Sequence, residues 1–189
     1  MKKIVITILL GGLLFSCQKE EKQPLANPTQ LDKYFALKDL ILDQLPDLQG
    51  RELSKISHIN GKYDSSLVTL DKDGWRKELD LFVHADINKA ANATAYHIEE
   101  QDKTTTYTLK EGEKGEIKSL WVEFYDAEKK RPASVNFESA SENLFYQSQT
   151  SGHLSFATGT GALKNYQVEA RQQVWFLDPN SIEVRGELK

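Results

Sequence analysis

Asp71-Lys72-Asp73-Gly74 opens like a calcium-binding loop, with two carboxylates spaced to meet one cation. Such a loop also needs a bidentate glutamate at its twelfth position, and that position is Phe82. Helix capping explains the two aspartates better. Gly159-Thr160-Gly161 has the small residues of a phosphate-cradling loop. It lacks the Gly-Lys-Ser/Thr end, and Ala162-Leu163-Lys164 leads into a strand, so it reads as a flexible connection. His58, His84, His97 and His153 lie far apart. Asp80 and His84, four residues apart on one helix, could share a metal, but two ligands rarely hold one. There is no Gly-x-Ser-x-Gly elbow for a nucleophilic serine. Carboxylates such as Glu123 could serve as acid and base. A polymer-cleaving site would need a second carboxylate roughly 5–9.5 Å away. The residues call for no metal and no cofactor.

The aromatic residues offer a different chemistry. If Leu120, Val122 and Phe124 face a core, strand alternation turns Trp121, Glu123 and Tyr125 the other way. If Val174 and Phe176 face inward, Trp175 faces out beside Arg171 and Gln173. Trp121, Tyr125, Tyr146 and Trp175 are therefore the candidate ligand-binding residues, lining one groove unless a second layer buries them.

Two kinds of element must position these groups. In the first half the apolar residues recur at helical spacing. Leu31, Tyr34, Phe35, Ile41, Leu42 and Leu45 predict a helix capped by Thr29 and ended by Pro46. Trp75, Leu79, Phe82 and Val83 predict a second helix, capped by Asp73 and closing over Asn88 to Asn92. Between them Asn60-Gly61 marks a tight hairpin, with Leu53, Lys55, Ser57 and Ile59 alternating on its first strand. From about Ala95 the period becomes two. Tyr96-Ile98, Tyr107-Leu109, Leu120-Val122-Phe124, Val135-Phe137, Leu144-Tyr146, Leu154-Phe156, Val168 to Val174 and Ile182-Val184 read as strands. Polar clusters such as Ser139 to Glu142 read as their turns. Short connections make neighbours antiparallel. The expected fold is α+β: a curved antiparallel meander covered by one or two helices from the N-terminal half.

The N-terminus carries an address. Lys2 and Lys3 precede Ile4 to Leu14, an apolar run too short for the ~20 residues a membrane span requires. Residues 1–16 thus read as a secretory signal. Cys17 is the only cysteine, so no disulfide can form within the chain. Leu14-Phe15-Ser16-Cys17 resembles the lipobox of bacterial lipoproteins. That resemblance implies cleavage before Cys17, lipidation of Cys17, and a membrane partner held through the acyl chains. Lys19, Glu20 and Glu21 resemble the signal that sends some lipoproteins to the cell surface; the alternative is a polar tether facing the periplasm. Residues 17–29, with Pro24 and Pro28, are the expected linker, and 30–189 the single domain. The hairpin, Trp75-Arg76-Lys77-Glu78-Leu79, and Ala85-Asp86-Ile87-Asn88 ahead of the strands resemble an uncharacterised family of small lipoproteins. That resemblance implies a lipid-anchored domain and no particular chemistry.

Residues 1–16 carry two lysines and no acid, so 22 basic and 28 acidic residues follow, a formal charge of −6. Mild acidity suits solubility and argues against nucleic acid, which needs a clustered basic surface. The leading expectation is a lipid-anchored outer-membrane protein with a non-enzymatic domain. It would bind another envelope protein or a small apolar or sugar ligand. A hydrolase of an envelope polymer, or a structural accessory of a surface complex, are the alternatives.

Overall fold

The computed structural model describes residues 31–189. The signal segment, Cys17, the linker and the Thr29 cap lie outside them. The elements are α1 (Leu37–Leu48), β1 (Glu52–Ile59), β2 (Lys62–Thr69), α2 (Lys72–Glu78), α3 (Asp80–His84), β3 (Tyr96–Gln101), β4 (Thr104–Leu109), β5 (Ile117–Phe124), β6 (Pro132–Asn143), β7 (Tyr146–Phe156), β8 (Leu163–Val174) and β9 (Asn180–Leu188). All nine strands form one antiparallel sheet in the order β2-β1-β9-β8-β7-β6-β5-β4-β3. From β3 to β9 each strand pairs with the next, as a meander must. The β1–β2 hairpin joins at the far side, with β1 against β9. Among the described residues no strand pairs with the outer side of β2 or β3, so the sheet is open and mostly-sheet α+β is its class.

Alternation fixes which residues meet. One row across the sheet reads Val122, Val135, Leu154, Tyr166 and Gly186. The next reads Leu120, Phe137 and Gly152. These residues are all buried. The helices supply Leu37, Ile41, Leu45, Leu48, Trp75, Leu79 and Phe82 to the same core. The Phe82 ring meets Phe137 edge-on at 5.7 Å and Tyr166 at 6.3 Å. Burial of a ring of this size contributes about 1.5–3 kcal/mol. Glycine at 152 is what lets the rings approach: a Cβ there would run into the Phe137 ring and sit 2.8 Å from Phe82.

The hairpin forms as its turn residues require. Asn60 and Gly61 have φ of 51° and 79°, the left-handed pair of a two-residue turn. The helices depart from expectation. α1 starts at Leu37, so Tyr34 and Phe35 precede it. Tyr34 is drawn into an aromatic cluster with Tyr96 and Tyr107, and Phe35 packs on Phe124. Pro46 lies inside α1, which runs on to Leu48. A proline there removes only one helical bond, and buried Leu45 and Leu48 hold the last turn. The Trp75 stripe is split into α2 and α3 at Leu79, and the cap is Asp71, not Asp73. The Asp71 carboxylate accepts from Gly74 N at 2.7 Å.

Ala85-Asp86-Ile87-Asn88 is a clamp. Asn88 Oδ1 accepts from the backbone of Lys33 and Tyr34, and its Nδ2 donates to the carbonyls of Tyr34 and Phe35. Asp86 Oδ2 accepts from Lys38 N in the first turn of α1, which has no side-chain cap of its own. An acid at this end also complements the helix dipole. On the other side Glu78 of α2 meets Lys55 Nζ at 2.6 Å and accepts from the Tyr166 hydroxyl. Burial and the Glu78 charge push the Tyr166 phenol far above its usual range.

The meander also differs in one stretch. Ser139 to Glu142 is not a turn but the end of β6, and β6 pairs with β7 over ten positions. The turn falls at Leu144 and Phe145. β8 ends at Val174, so Val174, Trp175 and Phe176 do not alternate in and out; all three are exposed.

Candidate functional site: the open face of the sheet

The core residues of the strands meet those of the helices on one face of the sheet, and the residues between them line the other. Across β6, β7, β8, β9 and β1 one exposed-side row reads Glu138, Ser151, Glu169, Glu183 and His58. The next, toward the β6–β7 turn, reads Ala140, Gln149, Arg171 and Ser181. Together, His58 apart, they floor a trough of about 700 Å³. It continues toward the β6–β7 turn as an overlapping depression of about 600 Å³ that reaches Glu142, Gln147 and Gln173. Lys118 enters from a bulge in β5, where pairing passes from Ile117–Ser139 to Ser119–Glu138. A bulge of this kind re-aims a side chain.

The charges are balanced. Glu138, Glu169 and Glu183 share the trough with Lys118, Arg171 and Arg185. Glu169 and Glu183 stand directly opposite each other, which alone would be unfavourable. Partners relieve it. Arg185 Nη2 lies 2.5 Å from one Glu183 oxygen, and His58 Nδ1 lies 3.6 Å from the other. Gln167 Nε2 donates to Glu169 at 2.7 Å, and Ser119 Oγ to Glu138 at 3.2 Å.

A second polar group lies on the same face across β5, β6 and β7. Ser134 Oγ donates to Glu123 Oε2 at 3.1 Å. His153 Nδ1 and Asn136 Oδ1 are 2.6 Å apart. An amide oxygen only accepts, so that His nitrogen carries the proton and Nε2 is left as an acceptor. Burial pushes the His153 imidazole below its usual value, with Glu123 pulling weakly the other way. Among the described residues no hydroxyl donates to Nε2, so no nucleophile is coupled to this base.

Of the four expected aromatic residues, Trp121 is half-buried on this face opposite Asn136, two residues along β6 from Glu138. Glu123 is exposed beside it and Leu120, Val122 and Phe124 are buried, as alternation requires. Tyr125 lies just past β5, its hydroxyl donating to Phe156 O at 2.5 Å. Tyr146 and Trp175 are at the other end of the sheet. Asn136 and Asn143, the partners of Trp121 and Tyr146, are seven residues apart on β6, about 23 Å. The four therefore fall into two places. Asp80 and His84 form an exposed pair at 3.2 Å. Among the described residues no group of three or more His, Cys, Asp or Glu is set to hold a metal, and no helix is long and apolar enough to cross a membrane.

Of the residues in the trough and its extension, sequence patterning points to Arg171 and Gln173, beside Trp175. Glu169, Arg171 and Gln173 alternate along β8, which was a usable signal. The register that sets Glu138 and Glu183 beside them joins segments some 45 residues apart and leaves no local trace.

No protein-family model matches this chain, and no curated protein or solved structure is significantly similar to it.

Proposed function

We propose that this protein is a lipid-anchored envelope lipoprotein whose open sheet face binds a polar, sugar-like ligand without transforming it. The observation that carries the reading is the trough of about 700 Å³ on the uncovered face, with matched charges, amides and hydroxyls. Pyranose rings present hydroxyls that both donate and accept. Gln149, Ser151 and Arg171 supply partners of both kinds, and Trp121 offers a ring face near the trough. In this reading α1–α3 cover the other face of a curved sheet and keep the ligand side rigid. Acylation of Cys17 holds the domain at the outer membrane, and Lys19-Glu20-Glu21 sends it to the cell surface.

The ligand test is amide chemical-shift mapping with envelope glycans. Perturbations confined to β6–β9, weakened at least tenfold in affinity by Arg171→Ala, support the reading; no saturable shift on the open face overturns it. Fatty-acid labelling that disappears in Cys17→Ser tests the anchor, and protease access on intact cells tests its orientation.

A hydrolase is the second reading, favoured by one observation: Glu169 and Glu183 are directly opposed within the trough. Turnover of a bound glycan that Glu169→Gln abolishes would select it.

A further inference from the structure

The polar row that floors the trough does not end with it. Glu138, Ser151, Glu169 and Glu183 stand opposite one another from β6 to β9, and the same register continues through His58 of β1 to Tyr63 of β2. Opposed residues of an antiparallel pair project to the same face, so Tyr63 lies on the trough side of the sheet. Its ring is 61% exposed and leans on the His58 imidazole, 5.0 Å away and tilted by 54°. His58 in turn lies 3.6 Å from Glu183, the acid at that side of the trough. On the other flank, Trp121 is half-buried on β5, beside the strand that carries Glu138.

The trough thus has an aromatic ring beyond each side. From β5 to β2 there are six strand spacings, about 29 Å along the sheet. No mono- or disaccharide touches both rings. A chain that does so must run across the strands, along the row of opposed positions. β2 is an outer strand of the sheet, so such a chain can continue past Tyr63. The charges of the trough argue against a charged chain. Glu138, Glu169 and Glu183 are matched by Lys118, Arg171 and Arg185. A repeated charge of either sign would meet its own kind along the path.

We propose that the ligand is a linear, uncharged polysaccharide lying across the strands, centred on the trough, with Trp121 and Tyr63 as its outer stacking platforms. This rests on the ligand-binding reading and narrows it from sugar-like groups to a polymer. The aromatic faces take the apolar side of a pyranose ring, and the row between them exchanges hydrogen bonds with its hydroxyls. Tyr63 then sets preference for length, because only a long chain reaches it.

The test titrates the processed chain in detergent micelles with malto-, laminari- and chito-oligosaccharides, each as a ladder from dimer to octamer, and reads affinity by calorimetry. Affinity for one ladder is expected to rise at least about tenfold from dimer to octamer, since contacts on one chain reinforce each other. Tyr63→Ala should remove that rise and leave dimer binding unchanged. Tyr63→Phe should keep it, because the platform is the ring and not the hydroxyl. Thermal unfolding of both variants should match the parent, as the side chain is exposed. Affinity that is flat with length overturns the proposal and leaves the trough reading standing. So does Tyr63→Ala weakening dimers and octamers alike, or open-face binding confined to charged envelope glycans. If no glycan of any kind binds, both readings fall together.

Discussion

The two faces of one sheet follow different rules on the same strands. On the helix side the buried positions are constrained by their neighbours: Gly152 by Phe137 and Phe82, Gly186 by the Tyr166 ring. On the open side Glu, Arg, Gln and Ser stand in rows with partners that can be exchanged. The difference teaches where stability and specificity reside. The covered face fixes the backbone, and the open face is then free to vary in chemistry without unfolding it.

Substitutions should separate the faces by size of effect. Phe82→Ala, which empties the junction of α3, β6 and β8, is expected to cost about 3–5 kcal/mol in urea unfolding. A loss below 1 kcal/mol would mean the helices do not hold this face. Asn88→Ala leaves four backbone groups without their partner, the buried N–H and C=O of Tyr34 among them, and roughly 2–4 kcal/mol should be lost. Gly186→Ala places a methyl against the Tyr166 ring and should cost about 1–3 kcal/mol. Glu169→Gln on the open face should change stability by no more than about 0.5 kcal/mol. Removing one of two opposed carboxylates should not weaken the sheet. A large loss there would erase the contrast.

Protonation gives the smallest effect and the sharpest test. His153 titrates lower in the folded protein than in the unfolded chain, because burial disfavours its charged form. The unfolded state then binds more protons as pH falls through the usual histidine range. Stability is full above that range and declines below it. His153→Gln should flatten this slope, read as the midpoint of urea unfolding between pH 7.5 and 5. An unchanged slope would place the titrating group elsewhere.

The elements legible in the sequence were those whose cause is local. Asn60-Gly61 needs only its own backbone preferences to make a turn. Leu120-Val122-Phe124 shows its buried side by alternation alone. The misread segments depended on distant partners. Ser139 to Glu142 is rich in turn formers, yet ten registers with β7 keep it extended. Leu144 and Phe145 suggested a strand by their apolar character, but they cap one. Tyr34 and Phe35 fit helical spacing, but Asn88, more than 50 residues away, holds them outside the helix. The trough was hidden for the same reason. Its carboxylates and guanidinium groups come from strands whose alignment is settled only by the whole sheet.

The placement of β9 has a consequence for biogenesis. Among the described strands the last, β9, lies between β8 and the β1–β2 hairpin and alone links that hairpin to the rest of the sheet. The β1–β2 hairpin, though earlier in sequence, therefore cannot join the sheet until β9 has been made and laid beside β8.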